Sequence, residues 1–176
     1  MNTGLQCRDD FLERLLYGQE AEIKVANWLM GRGYYVVPRY VPNADEGAPS
    51  MFGVDAHFTL PDLDVFAGKK RFWFEVKRKK MYNWRGCWQT GFPPKNRAHY
   101  LKVQEESGSD VFVGFYDELK GTLYGNFLDI LEEERWENGQ RFPRFWDGKV
   151  AGRRRDNPIV FYPVSVMATL ANLSEL

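Results

Sequence analysis

Two short apolar runs rich in valine and aromatic side chains flank Gly68 and Lys69 within residues 60–80. Runs of this kind, bounded by turn-forming residues, are typical of β-strands. A two-residue type II′ turn takes glycine at its first central position, and Gly68 stands there. The pattern therefore predicts a β-hairpin in which Ala67 lies opposite Lys70.

The predicted register brings three ionisable side chains to one end of the hairpin. Asp62 lies opposite Glu75, and directly opposed residues share a face with their Cβ atoms roughly 5 Å apart. Because side chains alternate along a strand, Lys77 shares this face and Val76 turns to the other. We expect Val76 to pack in the core while the Asp, the Glu and the Lys converge.

Helical spacing, β-prone runs and turn-forming residues divide the rest of the chain into further elements. Helices are predicted at residues 9–16, 19–32, 95–107, 130–136 and 164–173, and Gly18 separates the first two. Strands are predicted at residues 34–40, 111–116, 122–129 and 158–162, and loops at 42–53, 81–94 and 138–157.

Composition and charge narrow the function classes without selecting one. The 176 residues carry zero formal net charge, so the sum does not indicate a nucleic-acid partner, although residues 69–71 and 77–80 form local basic clusters that can steer a polyanion. The two cysteines lack paired Cys/His spacing, which argues against zinc and favours a reducing, cytoplasmic location. No apolar run reaches membrane-spanning length, so no membrane association is expected.

The convergent side chains are the parts needed for metal-assisted phosphodiester hydrolysis. Two close carboxylates repel each other unless a cation lies between them. Mg²⁺ takes oxygen ligands of this type and keeps several waters, one of which a neighbouring lysine can orient. Asp64 shares the face of Asp62 and would replace it opposite Glu75 if the turn were longer. A half-buried hairpin with a solvated charged face is the alternative interpretation.

Glu22 stands out in the helix predicted for residues 19–32. It lies on the same stripe as Val25, Ala26 and Leu29, because offsets of three, four and seven return to one helix face. A carboxylate that points with an apolar stripe needs a partner. A position at the edge of the stripe, from which the side chain reaches solvent, would also explain it.

Two motifs resemble a known superfamily. The string Pro61-Asp62 … Glu75-Val76-Lys77 resembles the signature of the PD-(D/E)XK nucleases, which have the restriction-endonuclease-like fold. The first predicted helix resembles that of the Holliday-junction-resolvase-like branch, in which a glycine precedes a glutamate by four residues and a Gly-aromatic pair opens the first strand. The matching residues here are Gly18, Glu22, Val25, Leu29 and Gly33-Tyr34.

The resemblance implies an α/β fold with an αβββαβ core, in which helices flank a mixed central sheet. The predicted order of helix, strand, strand, strand, helix and strand over residues 18–116 agrees with this core. We therefore expect a single domain over residues 1–176. Residues 117–176 would form a C-terminal extension that adds strands and a helix.

The resemblance also assigns roles to the site residues. Asp62 and Glu75 would hold Mg²⁺ (or Mn²⁺) together with the backbone carbonyl of Val76. Lys77 would position the attacking water, and Glu22 would be an additional active-site acid. Further candidates are Glu20 as the rival helix acid, Gln89 as a polar residue after the Glu-x-Lys strand, and Arg78, Lys79, Lys80, Arg97 and Lys102 as DNA contacts.

The implied function is that of a metal-dependent nuclease acting on DNA in recombination, repair or the processing of phage or mobile-element DNA. The alternative is a catalytically inactive nucleic-acid-binding or assembly module on the same fold, and the intact Asp/Glu/Lys set argues against it. Resolvases act as two-fold dimers because a junction has two equivalent strands, so a homodimer is an open expectation. The sequence leaves the form of the DNA substrate undecided.

Overall fold

The computed structural model describes residues 3–39, 49–53, 57–150, 153–154 and 157–174, with side chains described for residues 16–39, 49–53, 57–148 and 157–174. The helices are α1 (Thr3–Gly31), α2 (Pro94–Ser107) and α3 (Leu128–Glu132), and a 3-10 turn covers Val164–Val166. The strands are β1 (Tyr35–Pro38), β2 (Ser50–Phe52), β3 (His57–Thr59), β4 (Leu63–Ala67), β5 (Lys70–Lys79), β6 (Tyr82–Trp84), β7 (Cys87–Phe92), β8 (Val111–Asp117), β9 (Thr122–Phe127), β10 (Arg135–Glu137), β11 (Gln140–Phe142), β12 (Arg144–Trp146), β13 (Lys149–Val150), β14 (Arg153–Arg154), β15 (Ile159–Pro163) and β16 (Ala168–Asn172).

A six-stranded mixed sheet in the order β1-β4-β5-β8-β9-β16 forms the centre of the fold. The β5–β8 pair is parallel, and the other pairs are antiparallel. Helix α1 packs on one face through Ala21, Val25 and Leu29, and helix α2 packs on the other through Tyr100 and Val103. The structure therefore confirms the predicted α/β class, with a mixed sheet between helices.

The β4–β5 hairpin has the predicted register. Ala67 pairs with Lys70 and Leu63 pairs with Phe74, and continuing this register by one residue places Asp62 opposite Glu75. Gly68 occupies the first turn position with φ 63°, a conformation that glycine adopts without steric cost. Local turn chemistry is thus sufficient to set the register of the hairpin.

A second sheet, in the order β12-β15-β7-β6, replaces segments that the sequence predicts as loops. Residues 81–94 form β6 and β7, and residues 138–157 include β11 to β14, so both loop predictions are wrong. The strands are short, and the pairing of Gly91 with Phe161 joins positions far apart in sequence. Because the paired strands are distant in the sequence, no short stretch of residues indicates where these strands form.

Other elements differ from prediction at their ends or in type. Helix α1 runs unbroken through Gly18, so the predicted interruption is wrong. Within residues 164–173 the predicted helix is a 3-10 turn followed by edge strand β16, which pairs with β9. Helix α3 begins and ends earlier than predicted, and residues 135–136 of the predicted helix belong instead to strand β10. Strand β2 lies at the end of the predicted loop at residues 42–53, whose residues 42–48 fall outside the described residues.

The hydrophobic core extends between the two sheets. Phe92 and Val160 of the second sheet belong to the same buried cluster as Val113 and Phe115 of the central sheet. Among the described helices, none is long and apolar enough to cross a membrane.

Candidate active site

Strand β5 carries the centre of the site because its alternating side chains point to two different layers. Val76 is buried in the cluster on the α1 side, as predicted. Glu75 and Lys77 point to the α2 side, where their parallel partners on β8 are Val113 and Phe115. Glu75 is only 1% exposed, so its carboxylate requires polar partners inside the protein.

Asp62 is attached directly to β5. It lies just before β4, and its Oδ2 accepts a hydrogen bond of 2.8 Å from the backbone N–H of Val76. The residue is half-buried but its carboxyl end is surrounded by protein, and this burial together with the nearby Glu75 raises the pKa of Asp62 well above its usual value. Lys77 and the Val76 N–H oppose this rise in pKa.

Lys77 supplies the positive charge of the cluster. Its Nζ contacts Oε1 of Glu75, and its side chain is only 20% exposed. Burial acts to lower the pKa of Lys77, but Glu75, Tyr100 and Asp62 raise it well above the usual value, so the ammonium stays charged. The side chains of Asp62, Glu75 and Lys77 therefore converge, as the predicted hairpin register requires.

Glu22 approaches the cluster from α1. Its Oε1 lies 3.8 Å from the position that a Cβ on Gly18 would occupy, one helical turn earlier. Burial raises the pKa of Glu22, Glu75 raises it further, and Lys77 lowers it. Glu22 is therefore within electrostatic reach of Glu75 and Lys77 and is not an isolated surface carboxylate.

Tyr100 is a further member of the cluster, and the sequence pattern did not identify it as a site residue. Its hydroxyl is hydrogen-bonded to Glu75, and it accepts a bond of 3.2 Å from Nδ2 of Asn96. Burial and Glu75 raise the pKa of Tyr100 well above its usual value. Lys77 Nζ lies 5.9 Å from the ring centroid. A buried aromatic hydroxyl on a mostly polar helix is the signal that could have revealed it.

The rival carboxylates have other partners. Asp64 is 2% exposed, and it accepts bonds of 2.8 and 3.0 Å from Arg71 and of 3.2 Å from Arg39. Glu20 accepts a bond of 2.8 Å from Arg78. The observed contacts thus leave Asp62, rather than Asp64, beside Glu75 and Lys77.

The remaining candidates are more dispersed. Gln89 is buried on β7, and its Oε1 accepts a bond of 3.3 Å from Arg144. Arg97 donates hydrogen bonds to Glu132 through Nε and through the terminal nitrogen Nη2. Glu132 also accepts a hydrogen bond from the hydroxyl of Tyr162, so its carboxylate has two partners inside the protein.

The other proposed DNA contacts differ in their availability. Arg78 pairs with Glu20 and Glu118, and Lys80 pairs with Glu118 at 3.5 Å. Lys102 pairs with Glu105 and Glu106 on the exposed face of α2. Lys79 takes part in none of the ion pairs found among the described residues. Burial and the nearby Lys77 lower the pKa of Lys79.

The donor chemistry of the cluster fits a hard divalent cation. Three carboxylates, those of Glu22, Asp62 and Glu75, share one ammonium. Burial raises the pKa values of Asp62 and Glu22, and repulsion by Glu75 raises them further. A divalent cation would offset this repulsion. In the described part of the chain, no three carboxylate, imidazole or thiol groups are arranged to hold an ion as they stand.

Comparison with known proteins supports the fold. Neither a protein-family model nor a curated protein matches this chain. Fourteen chains of solved structures match, among them Hjc of Archaeoglobus fulgidus, a Holliday junction resolvase from an archaeal hyperthermophile. That match has a TM-score of 0.51 and 15% sequence identity, and it covers 85% of this chain and 90% of the other. The chain therefore shares the fold of this resolvase.

Proposed function

We propose that this protein is a metal-dependent nuclease that hydrolyses phosphodiester bonds in DNA, with a role in recombination, repair or the processing of phage or mobile-element DNA. The observation that carries the proposal is the cluster on β5, where Asp62 is bonded to the Val76 N–H beside Glu75 and Lys77. The similarity in fold to a Holliday junction resolvase also supports this proposal, although a fold alone does not fix a function.

Asp62, Glu75 and the carbonyl of Val76 would hold Mg²⁺ or Mn²⁺, with Glu22 as a further acid. When bound, such an ion acts as a Lewis acid on the phosphate and lowers the pKa of a bound water.

The chain's own groups complete the chemistry. Lys77 leaves its contact with Glu75 to orient the attacking water through Nζ. Tyr100 holds the Glu75 carboxylate through its hydroxyl, so that the carboxylate keeps its place when Lys77 moves. The backbone N–H of Val76 similarly fixes Asp62. These hydrogen bonds preorganise the two carboxylates before substrate arrives.

The first prediction is cleavage itself. The purified protein is expected to cut DNA in Mg²⁺ or Mn²⁺ and to stop when the metal is chelated, because a hydrolytic site of this type depends on its cation. The measurement compares plasmid, flap and four-way-junction DNA on gels, with Glu75→Gln as the inactive control. A wild type that binds these DNAs but cuts none would instead support the catalytically inactive binding module.

The oligomeric state should be measured with the same samples. A four-way junction presents two equivalent strands, so paired cuts across a junction would require a two-fold dimer. Cleavage of a junction by a homodimer, measured by light scattering, would indicate resolvase activity. A monomer that prefers flaps or single strands would indicate a different substrate.

The second prediction concerns the salt dependence of DNA binding. If Lys79 and Lys80 contact phosphates, Lys79→Gln and Lys80→Gln should each reduce the log–log slope of affinity against salt by about 0.9. The weak surface pair between Lys80 and Glu118 should cost little when it is broken. Lys69→Gln is the matched control, since Lys69 is exposed at the turn at the opposite end of β5. A slope that neither Lys79→Gln nor Lys80→Gln changes would exclude these two lysines from the DNA path.

A further inference from the structure

A groove of about 640 Å³ lies on the outer face of the second sheet. The opposite face of this sheet is core, because Phe92, Val160 and Tyr162 pack against the central sheet. The outer face is lined mainly by aromatic side chains and by two cations. The residues that matter here are Lys79, Tyr82, Trp84, Arg144, Trp146 and Phe161.

The strand registers explain why these side chains share a face. Tyr82 pairs with Gln89, and Trp84 pairs with Cys87 across the β6–β7 turn. Phe161 pairs with Gly91 on one side and with Arg144 on the other. Gly91 cannot carry a side chain, because its Cβ would lie 1.9 Å from the carbonyl oxygen of Val160. The floor of the groove therefore stays open between aromatic walls.

The charge of the groove is positive. The guanidinium of Arg144 lies 4.6 Å from the ring centroid of Phe161 and 5.3 Å from that of Trp84. Its Nε also donates to Gln89, which fixes its position. Lys79 is the second cation, and none of the described lining residues is acidic. An anionic ligand with a flat aromatic part matches this lining.

The groove continues directly from the candidate active site. Lys79 is two residues beyond Lys77 on the same face of β5, a spacing of roughly 6.6 Å. After Lys79 the chain passes through Lys80 and Met81 into β6, which supplies Tyr82 and Trp84. A polymer bound with its scissile phosphate at Lys77 would therefore reach the groove with an adjacent unit.

The aromatic lining favours an unpaired nucleotide over a base pair. Bases in a duplex are stacked on each other and do not expose their faces to protein side chains. An unpaired base can stack on tryptophan or tyrosine while its phosphate meets lysine or arginine. The volume of the groove lies in the range of pockets that enclose small ligands, which suits a base with its sugar.

We propose that this groove binds an unpaired nucleotide of the DNA strand next to the cleavage point, with the base stacked among Tyr82, Trp84 and Phe161 and the phosphate held by Lys79 and Arg144. The assignment rests on the proposed nuclease function, and it specifies a substrate with a single-stranded segment, such as a flap, an overhang or a splayed junction arm.

The test is a binding experiment in EDTA, so that neither metal nor cleavage contributes. The probes are a fluorescent oligothymidylate of about ten nucleotides and a blunt duplex of the same length, both measured by anisotropy. The variants are Trp84→Ala and Tyr82→Ala. Trp88→Ala is the matched control, because Trp88 is 50% exposed against 47% for Trp84 but lies on the other face of the same sheet.

Both groove variants should bind oligothymidylate roughly 5- to 150-fold more weakly, the range for loss of one stacked base. Duplex affinity should remain within about twofold, and Trp88→Ala should bind both probes as wild type does. Circular dichroism checks folding. Because Tyr82 is 57% exposed, its variant carries the test if Trp84→Ala is misfolded.

Three results would overturn the proposal: no oligothymidylate binding by wild type, equal losses in Trp84→Ala and Trp88→Ala, or equal losses for oligothymidylate and duplex. Binding of a proline-rich peptide in place of the oligonucleotide would assign the groove to a protein partner.

Failure of the proposed nuclease function can be distinguished from failure of the proposed nucleotide site. A wild type that cuts no DNA but binds oligothymidylate through Trp84 refutes only the catalytic proposal, and a cutting wild type that is insensitive to Trp84→Ala refutes only the groove.

Discussion

Replacement of Lys77 by methionine is expected to slow DNA cleavage by a factor on the order of 10²–10³, the usual cost of removing one preorganised charge from a hydrolytic site. Methionine keeps the apolar stem that packs beside Tyr100 and removes only the ammonium. The measurement is the single-turnover rate at saturating Mg²⁺ and DNA, so that weaker binding does not contribute to the loss.

This substitution should also cost stability, which the sequence alone does not predict. A lysine at a strand end suggests a solvated side chain whose truncation costs within about 0.5 kcal/mol. In the structure Lys77 is 20% exposed and contacts a Glu75 that is 1% exposed. Removing the ammonium leaves a buried carboxylate without its cation, at a cost of about 1–3 kcal/mol.

Val76→Ala is therefore the control matched for stability. Val76 packs on the α1 side of the sheet, and its truncation opens a cavity worth about 1–3 kcal/mol without touching the charged cluster. Urea unfolding should show similar losses in both variants, while only Lys77→Met loses cleavage. Addition of Glu75→Gln to Lys77→Met should restore stability but not activity.

Equal cleavage rates in wild type and Lys77→Met would contradict the role of Lys77. Equal rate losses in Lys77→Met and Val76→Ala would show that the assay reports folding rather than chemistry. Either result would leave the protein an active nuclease and would remove the support for Lys77 as the group that orients the attacking water.

The parts of the fold that the sequence predicts well are those fixed by local chemistry. Gly68 sets a two-residue turn, and the turn sets the register that brings Asp62 beside Glu75. Gly108 adopts φ 61° and ends α2 close to its predicted end. In each case a few neighbouring residues determine the backbone, so the information is present in a short window.

The parts that the sequence misses depend on distant partners. Strand β7 is recognisable only when it pairs with β15, and β16 only when β9 offers its edge. The exposed outer face of the second sheet follows from the same pairing. Trp84, which lies within the segment predicted as a loop, is 47% exposed on the wall of the groove.

The choice between Asp62 and Asp64 is a third case of this kind. The two residues share a face in the sequence pattern, so alternation alone cannot separate them. The two carboxylates differ because two arginines from outside β4 bind Asp64. Arg39 follows β1, and Arg71 lies on β5. The carboxylate that remains beside Glu75 is Asp62.

Asp62→Asn and Asp64→Asn are accordingly expected to have opposite effects. Asp62→Asn should lose Mn²⁺ binding and slow cleavage by a factor on the order of 10² or more, because it removes a charged ligand. Its amide oxygen can still accept the bond from the Val76 N–H, so the fold should be retained. Asp64→Asn should keep Mn²⁺ binding and lose about 1–3 kcal/mol of stability, because two half-exposed arginines lose a buried counter-charge.

The pH dependence of stability provides a separate test of the environment of Asp62. The pKa of Asp62 is raised in the folded state by burial and by Glu75, so the folded protein retains this proton while the unfolded chain releases it. Wild type should therefore lose stability as pH rises above the usual aspartate pKa of 3.8, until the raised pKa is passed. Asp62→Asn should lack this loss and be at least as stable as wild type near pH 7. Thermal melts in EDTA across this range, combined with Mn²⁺ calorimetry, test both statements.

Retention of Mn²⁺ binding by Asp62→Asn and its loss in a folded Asp64→Asn would transfer the ligand role to Asp64.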